Sequence, residues 1–172
     1  MQLSIQKPFL NQILGIRDKV FRLTKRFLVS NEEAEDATQE VILKLWEMDE
    51  ERLSKLDSIE AYSMIIAKNY CLDRLKSKQA KVVSLDERIA APKTISLQKK
   101  IEVTDEMDWV SKLIDQLPEK ERMIIQLREI EQYEFDQIAK ILNLPEGTIR
   151  VYLSRIRKKL KNQFLEIQNH GI

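Results

Sequence analysis

Cysteine and histidine, the residue types that build most zinc and redox sites, are almost absent from this chain. It contains one cysteine, Cys71, and one histidine, His170, among 172 residues. A single cysteine cannot form an internal disulfide, and the Cys and His combinations of zinc sites are missing, so we expect no metal and no cofactor. No apolar run approaches the roughly 18 residues of a membrane-spanning helix, which favours a protein of the reducing cytoplasm.

Glycine is also scarce, and the signatures of common enzymes are missing. Three glycines in the whole chain argue against a turn-rich β fold and against a glycine-rich phosphate-binding loop. The body of the chain has no histidine and no nucleophile elbow. We therefore expect neither an enzyme nor a small-molecule substrate.

Charged residues are abundant but unevenly distributed. The net charge of +1 hides alternating blocks. Residues 1–30 carry six bases and one acid, residues 31–60 eleven acids and three bases, residues 61–81 five bases and one acid, and residues 150–172 six bases and one acid. Such blocks indicate either several surfaces for different partners or the ordinary surface charge of helices.

Helical periodicity dominates the chain and predicts an all-α fold. Two small helical domains are expected, over residues 1–78 and 107–172, the second containing a helix-turn-helix. Residues 79–106 lack a sustained period and are predicted to form a flexible linker. Helical order returns near Thr104, a candidate N-cap, and the polar residues 49–57 are interpreted as a short connection.

The N-terminal domain is predicted to contain three main helices. The first ends near Leu28, and the second follows Ser30, which forms a capping-box signature with Glu33. Ser58 is predicted to cap a third helix over residues 59–78. The central apolar stripe of this third helix is predicted to contain Ile59, Tyr62, Ile66 and Asn69.

Residues 135–157 have the spacing of a helix-turn-helix. A first helix ends in a turn at Asn143, a residue type that tolerates left-handed backbone better than most. Pro145 then opens a second helix, whose apolar residues recur in steps of four, three and four. These residues are Ile149, Leu153, Ile156 and Leu160.

The other faces of the second helix carry candidate DNA-binding residues. Near the start of such a helix, side chains reach base edges. The candidates at these positions are Thr148, Arg150, Val151 and Tyr152, and Ser154 also lies outside the apolar stripe. Arginine can pair with guanine, and valine can contact a thymine methyl group. Arg155, Arg157, Lys158 and Lys161 are predicted to hold phosphates. The alternative is a surface helix that is merely basic.

An earlier segment, from Asp36 to Trp46, combines polar residues with helical spacing. Asp36, Gln39, Glu40 and Lys44 are expected to share one face. Taken alone, this pattern favours an ordinary amphipathic helix with solvated acids.

A second segment carries groups that suit single-stranded nucleic acid. Its charged and hydrogen-bonding residues are Lys68, Asn69, Arg74 and Lys76. Tyr62 and Tyr70 can offer stacking surfaces beside them. Alternatively, Tyr62 and Tyr70 belong to the core and Asp73 pairs with a base on its own helix. Cys71 is interpreted as a core residue rather than a redox sensor.

Taken in order, four segments resemble those of an RNA polymerase sigma factor of the extracytoplasmic-function (ECF) type, in the sigma-70 family. They are DATQEVILKLW at 36–46, IIAKNYCLDRLK at 65–76, LPEKERMIIQLREIEQYEFDQIAKIL at 117–142 and PEGTIRVYLSRIRKKL at 145–160. Each motif is weak alone, but the four together cover nearly the whole chain outside the linker.

The resemblance implies that two tethered domains recognise a promoter together. The first would bind the largest subunit of core RNA polymerase through Asp36, Gln39, Glu40 and Trp46. The same domain would open the −10 element through Lys68, Asn69, Arg74 and Lys76. The second domain would bind the other large subunit and recognise the −35 element as duplex, through Arg150, Val151, Tyr152, Ser154 and Arg155. An anti-sigma factor is a further implied partner.

The chain also departs from the family pattern. Ile42 stands where phenylalanine is usual, Tyr62 where tryptophan is frequent, and Asn143 where the turn glycine is usual. Residues 150–152 replace a more basic triplet, so the resemblance leaves the target sequence open. Two rival functions are a stand-alone helix-turn-helix transcription regulator and a helical adaptor that binds only proteins.

Overall fold

The computed structural model describes residues 6–28, 30–85 and 106–170. Within these ranges the regular structure is entirely helical. The chain divides into two compact units, Met1–Glu87 and Arg88–Ile172. The predicted all-α class with two helical units is confirmed. The predicted domain boundaries remain a prediction, and Thr104 lies outside the described residues.

The N-terminal unit is built from three long helices and one short one. These are α1 (Gln6–Leu28), α2 (Asn31–Glu47), α3 (Glu50–Ser54) and α4 (Ile59–Leu85). Helices α1, α2 and α4 pack against one another. The core between them includes fully buried Leu23, Phe27 and Leu45. Burial of these apolar side chains is the main force that holds the unit together.

Helix α4 differs from the prediction in length and in the position of its buried face. It continues to Leu85, so the beginning of the predicted linker is helical. Its buried apolar residues are Ala61, Met64, Ala67 and Cys71. The predicted central stripe was wrong, since its members are only half-buried or, for Asn69, exposed. Three of these four side chains, Ala61, Ala67 and Cys71, are small and allow neighbouring helices to approach closely, which a search for large apolar residues does not indicate.

Two short polar sequences begin helices in this unit. The Ser58 hydroxyl accepts a hydrogen bond from the Ala61 amide at 3.1 Å, as predicted for an N-cap. In the stretch interpreted as a connection, the Asp49 carboxylate accepts one from the Arg52 amide at 2.8 Å. It thereby caps the short helix α3, which was not predicted.

The C-terminal unit contains α5 (Glu106–Asp115), α6 (Glu119–Ile125), α7 (Phe135–Leu142) and α8 (Glu146–His170). A π-helical segment, Gln126–Ile130, continues α6. There the Glu131 amide donates to the Gln126 carbonyl at 3.0 Å. Its wider turn was not predicted, and it presents Arg128 and Glu129 toward the helix-turn-helix.

Candidate nucleic-acid interface

Helices α7 and α8 form the predicted helix-turn-helix. Asn143 ends α7 in the left-handed conformation, with φ 53° and ψ 49°. The Leu144 amide donates to the Ala139 carbonyl at 3.1 Å, which closes the turn. Pro145 precedes α8, and its carbonyl accepts from the Ile149 amide at 3.2 Å. Asparagine can occupy this conformation, so the departure from the usual glycine leaves the turn intact.

The buried face of α8 is the one that the periodicity predicted. Ile149, Leu153 and Ile156 are buried, and Leu160 is half-buried. Helix α8 packs on α5, α6 and α7 through this face. Helical geometry then places the remaining residues on the outer faces.

The predicted DNA-binding residues are brought together on the outside of α8. Those with exposed side chains are Arg150, Val151, Ser154, Arg155, Arg157 and Lys158. Thr148 and Tyr152 are half-buried. Helix α8 is therefore called the recognition helix below.

Two bases of the recognition helix are already paired with acids. The Arg157 Nε donates to Glu129 Oε1 at 2.7 Å, and its Nη2 contacts the same oxygen. Lys159 Nζ lies 3.7 Å from Glu121 Oε2. Glu121 belongs to α6 and Glu129 to the π-helical segment. The sequence pattern predicted a phosphate contact for Arg157, but its guanidinium is paired with Glu129. Arg157 is thus a weaker candidate for DNA binding than Arg155 or Lys158.

Aromatic rings hold other cations near the start of the recognition helix. The guanidinium carbon of Arg150 lies 4.2 Å from the centre of the Phe135 ring, and that of Arg128 lies 4.3 Å from the same ring. Lys120 Nζ lies 5.7 Å from the ring centre of Tyr152. These distances are within the range of cation–π attraction. Phe135 was not among the predicted site residues, although an aromatic residue at the start of the preceding helix was a visible signal.

The predicted polymerase-binding residues lie on the exposed side of α2. Asp36, Gln39 and Glu40 are exposed, and Trp46 retains 47% of its accessible surface. Leu43, which sequence reasoning missed, is 52% exposed on the same helix. Its i+3 spacing from Glu40 was the available signal. Leu43 and Trp46, at positions i and i+3, place two exposed apolar side chains next to each other on this side of α2.

The four predicted strand-opening residues do not share one surface of α4. Asn69 and Lys76 are exposed and, at positions i and i+7, lie on the same face. Lys68 is half-buried, and loss of water contact lowers its pKa. Arg74 Nη2 instead lies 3.5 Å from Glu33 Oε1.

Glu33 links the start of α2 to α4. Its Oε2 accepts a hydrogen bond from Lys78 Nζ at 2.6 Å. This bond, with the charges of Lys78 and Arg74, lowers the pKa of the Glu33 carboxyl. The Ser30 hydroxyl does cap α2, with the Glu33 amide 3.5 Å away. The reciprocal half of the predicted capping box is replaced by these contacts to α4.

An open depression of about 350 Å³ lies between α2 and α4. Its lining residues are Lys44, Ile66, Asn69, Tyr70, Asp73 and Arg74. It combines an aromatic ring, an amide and charges of both signs. The residues that line this depression therefore come from α2 and from part of the predicted strand-opening segment of α4.

Cys71 is a core residue, as predicted. Its side chain is buried, and burial raises the pKa of the thiol to about 12. Across residues 6–28, 30–85 and 106–170, no group of three or more His, Cys, Asp or Glu side chains is placed to hold a metal ion. No helix within those ranges is long and apolar enough to cross a membrane.

Both halves of the chain match models of the sigma-70 family. The model of sigma-70 region 2 matches residues 15–81, and that of sigma-70 region 4 matches residues 107–160. The ECF RNA polymerase sigma factor SigW of Bacillus subtilis is 27% identical over 175 residues, covering 94% of this chain and 91% of that protein. The ECF RNA polymerase sigma-E factor of Escherichia coli K12 is 28% identical over 172 residues, covering 95% and 90%.

A solved structure shows the same fold. The sigma factor RpoE of Bartonella quintana, in complex with the anti-sigma factor NepR, aligns with a TM-score of 0.72 at 18% identity. The alignment covers 94% of this chain and 98% of that one. The chain therefore belongs to the sigma-70 family, as a sigma factor of the ECF type. Sigma factors are not enzymes; they bind core RNA polymerase and direct transcription initiation at promoters.

Proposed function

We propose that the two units divide promoter recognition between them. The recognition helix α8 contacts the −35 element as duplex DNA, while the N-terminal unit binds core polymerase and melts the −10 element. The observation that carries this proposal is the set of predicted DNA-binding side chains gathered on the outside of α8, the second helix of the helix-turn-helix. The chain supplies specificity and has no catalytic activity of its own.

At the −35 element, base contacts fall to the first turns of α8. Arg150, Val151 and Tyr152 reach base edges in the major groove, with Thr148 at the helix start. Arg155 and Lys158 bind phosphates and fix the register. Arg157 mainly stabilises the unit through Glu129.

The exposed side of α2 is the surface proposed for core polymerase. Leu43 and Trp46 provide an apolar centre, and Asp36, Gln39 and Glu40 provide a polar rim. Protein interfaces commonly combine a desolvated apolar centre with a polar rim. The largest subunit of core polymerase is the proposed partner of this surface, and the other large subunit that of the C-terminal unit.

The −10 element is assigned to α4. Asn69 and Lys76 share an exposed face, and Lys68 lies farther around the helix. Arg74 contacts DNA only if its ion pair with Glu33 opens. Opening DNA costs a few kcal/mol for each unstacked base, which contacts to an extruded base offset.

Each DNA contact is proposed to be weak on its own. Within the polymerase complex the two units act at high effective concentration, so joining them raises affinity without new contacts. The phosphate contacts make this binding fall steeply with salt. We place this activity in the cytoplasm. The solved relative is bound to an anti-sigma factor, and we propose a partner of that kind for this chain.

Run-off transcription with core RNA polymerase on fragmented genomic DNA tests the proposal. Transcripts that depend on this protein and share −35 and −10 elements would support it. Retained core binding without transcripts would favour an adaptor that binds only proteins. Tight binding to duplex DNA without core binding would favour a stand-alone transcription regulator.

A further inference from the structure

We propose that Phe135 is a positioning residue that holds the Arg150 guanidinium ready for base recognition. This inference rests on the proposed role of α8 at the −35 element. The Arg150 guanidinium carbon lies 4.2 Å from the centre of the Phe135 ring. The contact connects the first helix of the helix-turn-helix to the proposed base-reading arginine on the second.

The backbone that carries the Phe135 ring is held in place at the start of α7. Phe135 is the first residue of α7. The preceding residue, Glu134, forms a capping box with Gln137, in which the Glu134 amide donates to Gln137 Oε1 at 3.0 Å. The capping box fixes the backbone from which the ring projects.

A second arginine anchors the same ring. The Arg128 guanidinium carbon lies 4.3 Å from the Phe135 ring centre. Arg128 Nη1 donates to the Tyr133 carbonyl at 2.8 Å and forms an ion pair of 3.7 Å with Glu134. Because Tyr133 is buried, Arg128 is tied to the fixed part of the fold. Arg150 is the exposed member of the pair.

Stacking and base pairing use different parts of a guanidinium group. The planar face contacts an aromatic ring, whereas the N–H groups at the edge pair with guanine in the plane of the base. Phe135 can therefore restrict the flexible arginine side chain without occupying its donors. Restriction before binding lowers the conformational entropy lost in the complex. A cation–π contact at an exposed site contributes about two- to fivefold in an equilibrium constant.

The test is a double-mutant cycle in reconstituted holoenzyme with the full chain. The variants are Phe135→Leu, Phe135→Tyr and Arg150→Ala, alone and in combination. The readout is the ratio of transcription from a cognate promoter to that from one substituted at the −35 base pairs. Arg155→Ala is the matched control, because Arg155 is an exposed arginine of the same helix without an aromatic contact in the part of the chain that the structure describes.

We expect Phe135→Leu to lower this ratio about two- to fivefold and Phe135→Tyr to restore it. Phe135→Leu should have no further effect when Arg150 is alanine, but should retain its effect when Arg155 is alanine. Equal loss on both promoters, additive with Arg150→Ala, would show a purely structural role and overturn the inference. An unchanged or increased ratio in Phe135→Leu would overturn it while leaving Arg150 as a base contact. No change of the ratio in Arg150→Ala would overturn the proposed role of Arg150 and this inference with it.

Discussion

The two units hold their candidate DNA-binding residues in different ways. In the C-terminal unit, the candidates follow one another along the outer side of a single helix whose inner side is buried. In the N-terminal unit, the candidates on α4 are spread around the helix. One of these, Arg74, contacts Glu33 from α2, and another, Lys68, is half-buried.

This difference between the units shows when a sequence motif alone is sufficient to locate a DNA-binding surface. A helix-turn-helix is a local structure, so its spacing defines both the buried and the outer face of its second helix. Helix α4 packs against α1 and α2, and which of its polar groups remain available depends on residues distant in sequence.

The largest expected effect tests whether the two units are energetically separate. Leu153→Ala removes a buried side chain from the C-terminal unit and should destabilise it by about 2–5 kcal/mol. Hydrogen exchange should accelerate in α6 and α8 while amides of α1 and α2 keep their protection. Leu45→Ala, in the N-terminal core, is the reciprocal control. If either variant accelerates hydrogen exchange equally in both units, the two units are not energetically separate.

A second prediction separates two arginines of the recognition helix. Arg150→Ala should reduce discrimination between cognate and substituted −35 sequences by about 1–3 kcal/mol, as expected for a lost base contact. Arg157→Ala should leave discrimination unchanged, because its guanidinium is paired with Glu129. Holoenzyme binding to both DNA sequences would be measured by competition. If Arg150→Ala weakens both sequences equally, Arg150 contacts phosphate instead.

A third prediction concerns the surface of α2. It tests whether core polymerase binding depends on where an exposed apolar side chain lies or only on the exposed apolar area. Trp46→Ala and Leu43→Ala should each weaken core polymerase binding by at least about 1 kcal/mol if they form the centre of the interface. Leu14→Ala is the matched control, since Leu14 is 54% exposed on α1. Binding would be followed by fluorescence anisotropy of labelled protein. A similar loss in the Leu14 variant would indicate a general effect of exposed apolar area.

The smallest effect concerns the link between α2 and α4. Because the pKa of Glu33 is lowered below its ordinary value of 4.5, its contacts should stabilise the folded state above about that pH and be lost as pH falls further. Glu33→Gln should therefore cost under about 1 kcal/mol at neutral pH. The difference from the unmodified chain, measured by urea denaturation, should shrink in acid. A difference that grows in acid would contradict this sign.

Much of the C-terminal unit could be predicted because its signals are local. The buried stripe of Ile149, Leu153 and Ile156 and the left-handed turn at Asn143 followed from spacing and residue type. Spacing and residue type could not predict the contact of Arg150 with Phe135 or that of Arg157 with Glu129. These contacts join residues on different helices, and no periodicity indicates which charged side chains will meet.

By itself, the amino-acid sequence determined the helical class, the two helical units, the helix-turn-helix and the family. These properties depend on repeating patterns and short motifs, which act over a few turns of chain. Only the tertiary structure decided which face of α4 is buried and which carboxylates pair with Arg74 and Arg157. It also decided that Leu43 is exposed beside Trp46. Those outcomes depend on how side chains from separate helices fill the same space, and close packing is a property of the assembled unit.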